Sequence, residues 1–129
     1  MLPKISVSEE LAAAFFGMPS DLPDAVASTC DRVLIDVCGL CVAVRNRDYM
    51  LAALRATAEH GACTVIGHAG GFNVATAALC NGTGAPGEDY DDTFEGGPVH
   101  AGAVIVPAML ATAEHHGLAG GDVTRGIAV

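Results

Sequence analysis

Between residues 26 and 44 the apolar side chains return every three or four positions: Val26, Cys30, Val33, Leu34, Val37, Cys41 and Val44. That period places them on one face of a single long helix. The helix is expected to start at the signal Ser20-Asp21-Leu22-Pro23 and to run to about Arg45. Pro suits the first helical turn, where its missing N–H has no partner to lose. Gly39, inside the run, is expected to allow close packing at a cost of about 1 kcal/mol against Ala. Aromatic residues are 5% of the chain and Trp is absent, while Ala and Gly carry much of the apolar count. Such small side chains suit closely approaching helices better than a β-sandwich.

The rest of the chain reads the same way. Ser8 is placed to cap a short helix over Glu9–Phe16, ended near Gly17. Asp48 is placed to cap a third helix, Tyr49–His60, with Gly61 just past its end. The one β-like tetrad is Cys63-Thr64-Val65-Ile66, followed by a loop from Gly67 to Gly71. Phe72–Leu79 returns to helix, and Asn81 to Pro98 reads as a long polar loop. His100–His116 is an apolar helix in which Pro107 should bring a kink or a changed hydrogen-bond pattern. A last helix opens at Gly120-Gly121-Asp122 and stops uncapped at Gly126-Ile127-Ala128-Val129, as a fragment of a longer domain would. The fold expected is therefore all-α, with at most one short β-like segment.

Charge excludes some functions. Six basic residues face fifteen acidic ones, for a net charge of −9. No basic stripe is present to track a nucleic-acid backbone or an anionic membrane surface. No uninterrupted apolar run reaches the ~18 residues that a membrane span needs. Glu9 and Glu10 break up the only stretch resembling a signal peptide. Five cysteines without a spaced framework fit a cytoplasmic protein. Cys38 and Cys41 have redox spacing, but they lie inside the apolar helix and read as small core residues. Tyr49 and Phe72 are assigned to packing, and His60, His115 and His116 to helix ends. For His68, between Gly67 and Gly70-Gly71, both a packing role and a ligand-facing one stay open.

Chemistry concentrates in one segment. Glu88-Asp89-Tyr90-Asp91-Asp92-Thr93-Phe94-Glu95 holds five carboxylates in eight residues, and no Lys or Arg occurs from Ala56 to Thr124. Crowded carboxylates raise at least one another's proton affinity, and His100 closes the segment with a group that titrates near neutral pH. Carboxylate, hydroxyl and imidazole make an acid–base set. The alternative is a solvated acidic face with Asp and Thr capping helices. Two metal readings fail. Asp89-x-Asp91-x-Thr93 matches the haloacid-dehalogenase core, yet Gly84-Ala85-Pro86-Gly87-Glu88 cannot form the strand that core needs. An EF-hand loop counted from Asp89 would want Gly at Phe94 and Glu at His100.

The block Asn81-Gly82-Thr83-Gly84-Ala85-Pro86-Gly87-Glu88-Asp89-Tyr90-Asp91-Asp92-Thr93, then His100 and the helix Ala101–Ala108, resembles the MmgE/PrpD family over residues 8–129. The resemblance implies that residues 1–129 are the N-terminal part of a large helical domain. It further implies a metal-free and cofactor-free lyase or isomerase acting on small di- or tricarboxylates, usually a cytosolic homodimer. Asp89 and His100 would be catalytic and Thr93 would bind substrate. Asp92 joins the substrate-binding set, with a helix-capping or supporting role expected. Members commonly carry His-Gly or His-Ser where this chain has Pro86-Gly87. Arg45 and Arg47 are the nearest cations in sequence for substrate carboxylates. The alternative function is a non-catalytic helical remnant or interaction subunit completed by another chain.

Overall fold

A computed structural model describes residues 5–19 and 21–128. Ser20, part of the expected start signal of the long helix, lies outside the described residues, as do residues 1–4 and Val129. Among the described residues there are six helices and one short strand: α1 Val7–Gly17, α2 Asp24–Val44, α3 Asp48–Thr57, β1 His60–Cys63, α4 Val74–Gly84, α5 Ala101–His116 and α6 Gly120–Ile127. Among the described residues the fold is all-α with no sheet.

Helix α5 is the hub, and α4, α2, α6 and β1 all pack on it. Its first half meets α2 in one core cluster, Val37, Cys41, Ala85, Ala103 and Val106. A second cluster joins α3, β1, α4 and α5 through Met50, Cys63, Val65, Ala77, Cys80 and Ala111, with Tyr49 and Phe72 packed against it. Small residues set the spacing. A β-carbon on Gly84 would already touch Val44, Cys41 and Met50 at 3.4–3.5 Å, which is ordinary contact distance with nothing to spare. Pro107 is buried in α5 and the helix runs through it unbroken. Gly82 of α4 lies against Ala103 and Pro107, so the proline sits where the two helices come close.

Several local expectations need correction. Ser6, not Ser8, caps α1, in a reciprocal box with Glu9. Helix α3 includes Asp48 and ends at Thr57, so Asp48 is no cap and neither Gly61 nor His60 marks the helix end. The strand is His60–Cys63 rather than Cys63–Ile66. It bridges Phe72 in antiparallel sense, with the Gly61 N–H donating to the Gly71 carbonyl at 3.2 Å. Bulk is excluded here, because a β-carbon on Gly61 would lie 2.5 Å from the Phe72 carbonyl oxygen. Thr64–Ile66 lies outside the strand and enters a turn at Ile66, its backbone groups satisfied by side chains instead of a strand partner. Asn81 accepts from the Ile66 N–H at 2.8 Å and donates to the Thr64 carbonyl at 2.9 Å. Glu114 accepts from both the amide and the hydroxyl of Thr64.

The largest correction concerns Asn81-Gly82-Thr83-Gly84, expected in the polar loop. These residues are the last turn of α4, which starts at Val74 behind the cap Asn73. Gly39 does not serve close packing either: it is exposed, with nothing near a would-be β-carbon. No helix among the described residues is long and apolar enough to cross a membrane.

Candidate active site

The shortened loop, Ala85–Val99, joins α4 to α5 and is fastened at both ends. At its start Glu88 accepts from the Tyr49 hydroxyl at 3.4 Å and pairs with the Arg47 guanidinium at 3.0 Å. Arg47 is therefore brought to the acidic segment. Arg45 turns away, donating to the Val42 carbonyl at the end of its own helix. At the far end Asp92 accepts from the Gly102 N–H, at 3.0 Å to Oδ1 and 3.3 Å to Oδ2. That bond satisfies one of the free donors at the start of α5, as a capping carboxylate does. Between Asp92 and His100 the chain closes on itself, with the Phe94 N–H donating to the Val99 carbonyl at 2.9 Å.

Within this frame three side chains converge. One ligating atom each of Asp89, Asp91 and His100 lies within 4.8 Å of the others. Asp89 has φ of +60°, the left-handed region, where it is the one non-glycine among the described residues. Asp tolerates that conformation better than most residues, and strain of this kind gathers at functional positions. Asp91 is buried, its side chain wholly so, and Oδ2 stands 3.3 Å from His100 Nδ1. His100 precedes the first turn of α5 with its ring 37% exposed, so it bridges a buried carboxylate and solvent.

The sequence-derived set is thus divided. Asp89 and His100 come together. Asp92 is committed to the α5 backbone and also lines an apolar cavity of about 490 Å³ with Val26, Cys30, Val33, Ile105 and Ile127. Neither Asp89 nor His100 lines that cavity. Thr93 is exposed and is not part of the three-residue cluster. Asp91 was missed as a candidate. No local pattern marks it: Asp89 is exposed on left-handed backbone while Asp91, two residues on, is buried. The three donor atoms are also near enough to serve one divalent cation, although exposed acidic groups are common without one.

The sequence model of the MmgE/PrpD N-terminal domain matches residues 16–129. The chain belongs to the MmgE/PrpD family. Among curated relatives, the cis-aconitate decarboxylase-like protein oryM of Aspergillus oryzae is 31% identical over 99 residues. The match covers 74% of this chain and 20% of that protein, so the chain spans about a fifth of the relative's length. No solved structure gives a significant match. A β-carbon on Gly87 would fall on the Tyr49 phenol, so the loop turns flat against that ring.

Cys38 and Cys41 are both free thiols on α2. Burial, with Cys38 nearby, pushes the Cys41 thiol up to about 11, and burial raises Cys38 as well. Thiols that resist ionisation are poor nucleophiles, which agrees with a packing role.

Proposed function

We propose that this chain supplies one wall of the active site of a lyase or isomerase acting on small di- or tricarboxylates. Asp89 and His100 are the acid–base pair, and Thr93 holds a substrate oxygen. The observation that carries this reading is the convergence of Asp89, Asp91 and His100 within 4.8 Å on a loop pinned at both ends. The similarity to a decarboxylase-like protein supports the same chemistry.

A dehydration would remove a proton from the carbon next to a carboxylate and release hydroxide from the neighbouring carbon as water. A decarboxylation would break the bond to the departing carboxyl group and protonate the carbanion left behind. The dehydration needs one group to accept a proton and one to give it, whereas the decarboxylation releases carbon dioxide and needs only the proton donor. A carboxylate and an imidazole a few ångströms apart can exchange those duties. Arg47, held at Glu88, is the cation of this chain that stands nearest the loop in the observed contacts. Further cationic groups for the substrate carboxylates would come from the remaining length of the enzyme. The working form is proposed to be a cytosolic homodimer.

The test follows the alkene absorbance of cis-aconitate and of methylaconitate, with the 129-residue chain and with a full-length form. In the full-length form Asp89→Asn and His100→Gln are each expected to lower kcat by roughly 10²–10⁴, the range that acid–base groups contribute. Near-normal turnover in either variant would overturn the assignment. Turnover by neither form would favour the non-catalytic reading.

A further inference from the structure

Asp91 is a buried carboxylate whose two oxygens have no hydrogen-bond partner, and the Nδ1 of His100 beside it is likewise buried and without one. The side chain of Asp91 is fully shielded from solvent. Burying an unpartnered carboxylate is among the most costly things a fold can do. It persists where something else is gained, and such groups call for an explanation in function or strain. The nearest opposing group is His100 Nδ1, 3.3 Å from Asp91 Oδ2. The contact is close enough for charge pairing and not yet aligned as a hydrogen bond. Catalytic contacts commonly stay long or poorly aligned until substrate is bound.

The two ring nitrogens of a histidine are not equivalent, and the partner of one decides which carries the proton. Nδ1 faces the buried carboxylate. We infer that Asp91 is a positioning residue that holds His100 in the Nδ1–H form and leaves Nε2 free to exchange a proton with substrate. Asp91 itself touches no substrate. The arrangement fixes the ring in the same way as a buried aspartate behind a catalytic histidine in acyl-transfer enzymes. It also explains a division of labour among three neighbouring aspartates: Asp89 faces the cluster from strained backbone, Asp92 caps α5, and Asp91 stands behind the imidazole.

The inference rests on the acid–base reading of His100, but its decisive measurement does not need substrate. The full-length protein is labelled with 15N at histidine, and the ring nitrogens are recorded at a pH where His100 is neutral. The His100 signal is identified by its loss in His100→Gln. The expected result is Nδ1–H in the unaltered protein and Nε2–H in Asp91→Ala. With cis-aconitate as substrate, Asp91→Ala is expected to lower kcat about 10²-fold with KM little changed. Nε2–H in the unaltered protein overturns the inference, whether or not the variant folds. So does Nδ1–H persisting in Asp91→Ala, or unchanged turnover in that variant. A failure of the lyase reading itself would show separately, as absent turnover with the Nδ1–H signal intact.

Discussion

The Asp92 carboxylate occupies the space that a β-carbon on residue 102 would need. The same two residues are joined by the bond from the Gly102 N–H to Asp92 Oδ1. Glycine at 102 is thus what lets the loop carboxylate reach the α5 backbone, and the loop's far anchor depends on a missing methyl group.

Gly102→Ala is expected to force the carboxylate and the nearby Val33 side chain aside. Overpacking of this kind costs roughly 1–3 kcal/mol, and losing the cap adds ~1 kcal/mol. Asp92→Ala should show the smaller, cap-only loss. Thermal unfolding of both variants checks this, and an unchanged midpoint for Gly102→Ala would contradict the geometry.

Asn81 is 2% exposed and serves Thr64 and Ile66 together. Asn81→Ala removes the partners of the half-buried Ile66 N–H and of the carbonyl of exposed Thr64, at about 0.5–1.5 kcal/mol for each hydrogen bond lost. The variant should lose about 1–3 kcal/mol in denaturant unfolding. An effect below ~0.5 kcal/mol, the scatter of ordinary surface changes, would mean that water replaces both bonds.

Gly87→Ala is expected to push the loop off Tyr49, whereas Tyr49→Phe removes a single long hydrogen bond to Glu88. The first should reduce activity through displacement of the neighbouring Asp89. The second should change stability by no more than ~1 kcal/mol. Equal effects from the two would show that the hydroxyl, not the flat packing, fastens the loop.

Cys41 links stability to alkaline pH. Its folded value of about 11 lies above the ordinary 9.0, so the folded state holds the thiol proton more tightly. That stabilisation is whole below pH 9 and is lost as the pH rises to about 11, at no more than ~1.4 kcal/mol per pH unit for one proton. Cys41→Ala should flatten the fall in unfolding free energy across that window. Identical slopes with and without the thiol would exclude it as the source.

The long helix was plain in the sequence because Cys30, Val37, Cys41 and Val44 keep the helical period and all four are buried. The turn-like run Asn81-Gly82-Thr83-Gly84 misled because its local preference is overruled by packing. Two glycines let α4 approach its neighbours, and the Asn side chain is spent on Thr64 and Ile66. The β-like tetrad overlaps the strand only at Cys63, and the partners of Thr64 and Ile66 are side chains distant in sequence, which no local pattern reveals. For the site, Asp89 and His100 could be named from residue type and proximity. Asp91 could not be ranked above its neighbours until burial separated three chemically identical aspartates.

Asn81-Gly82 also keeps time. In a loose chain an asparagine before glycine is the pair most prone to cyclise and shed ammonia, because the glycine amide can fold back onto the side-chain carbonyl. Here that carbonyl is occupied by the Ile66 N–H, and the glycine amide lies in a helical turn. Deamidation at residue 81 therefore proceeds only while α4 is unravelled. The aspartate that accumulates there in an ageing sample records how much of its life the protein has spent open.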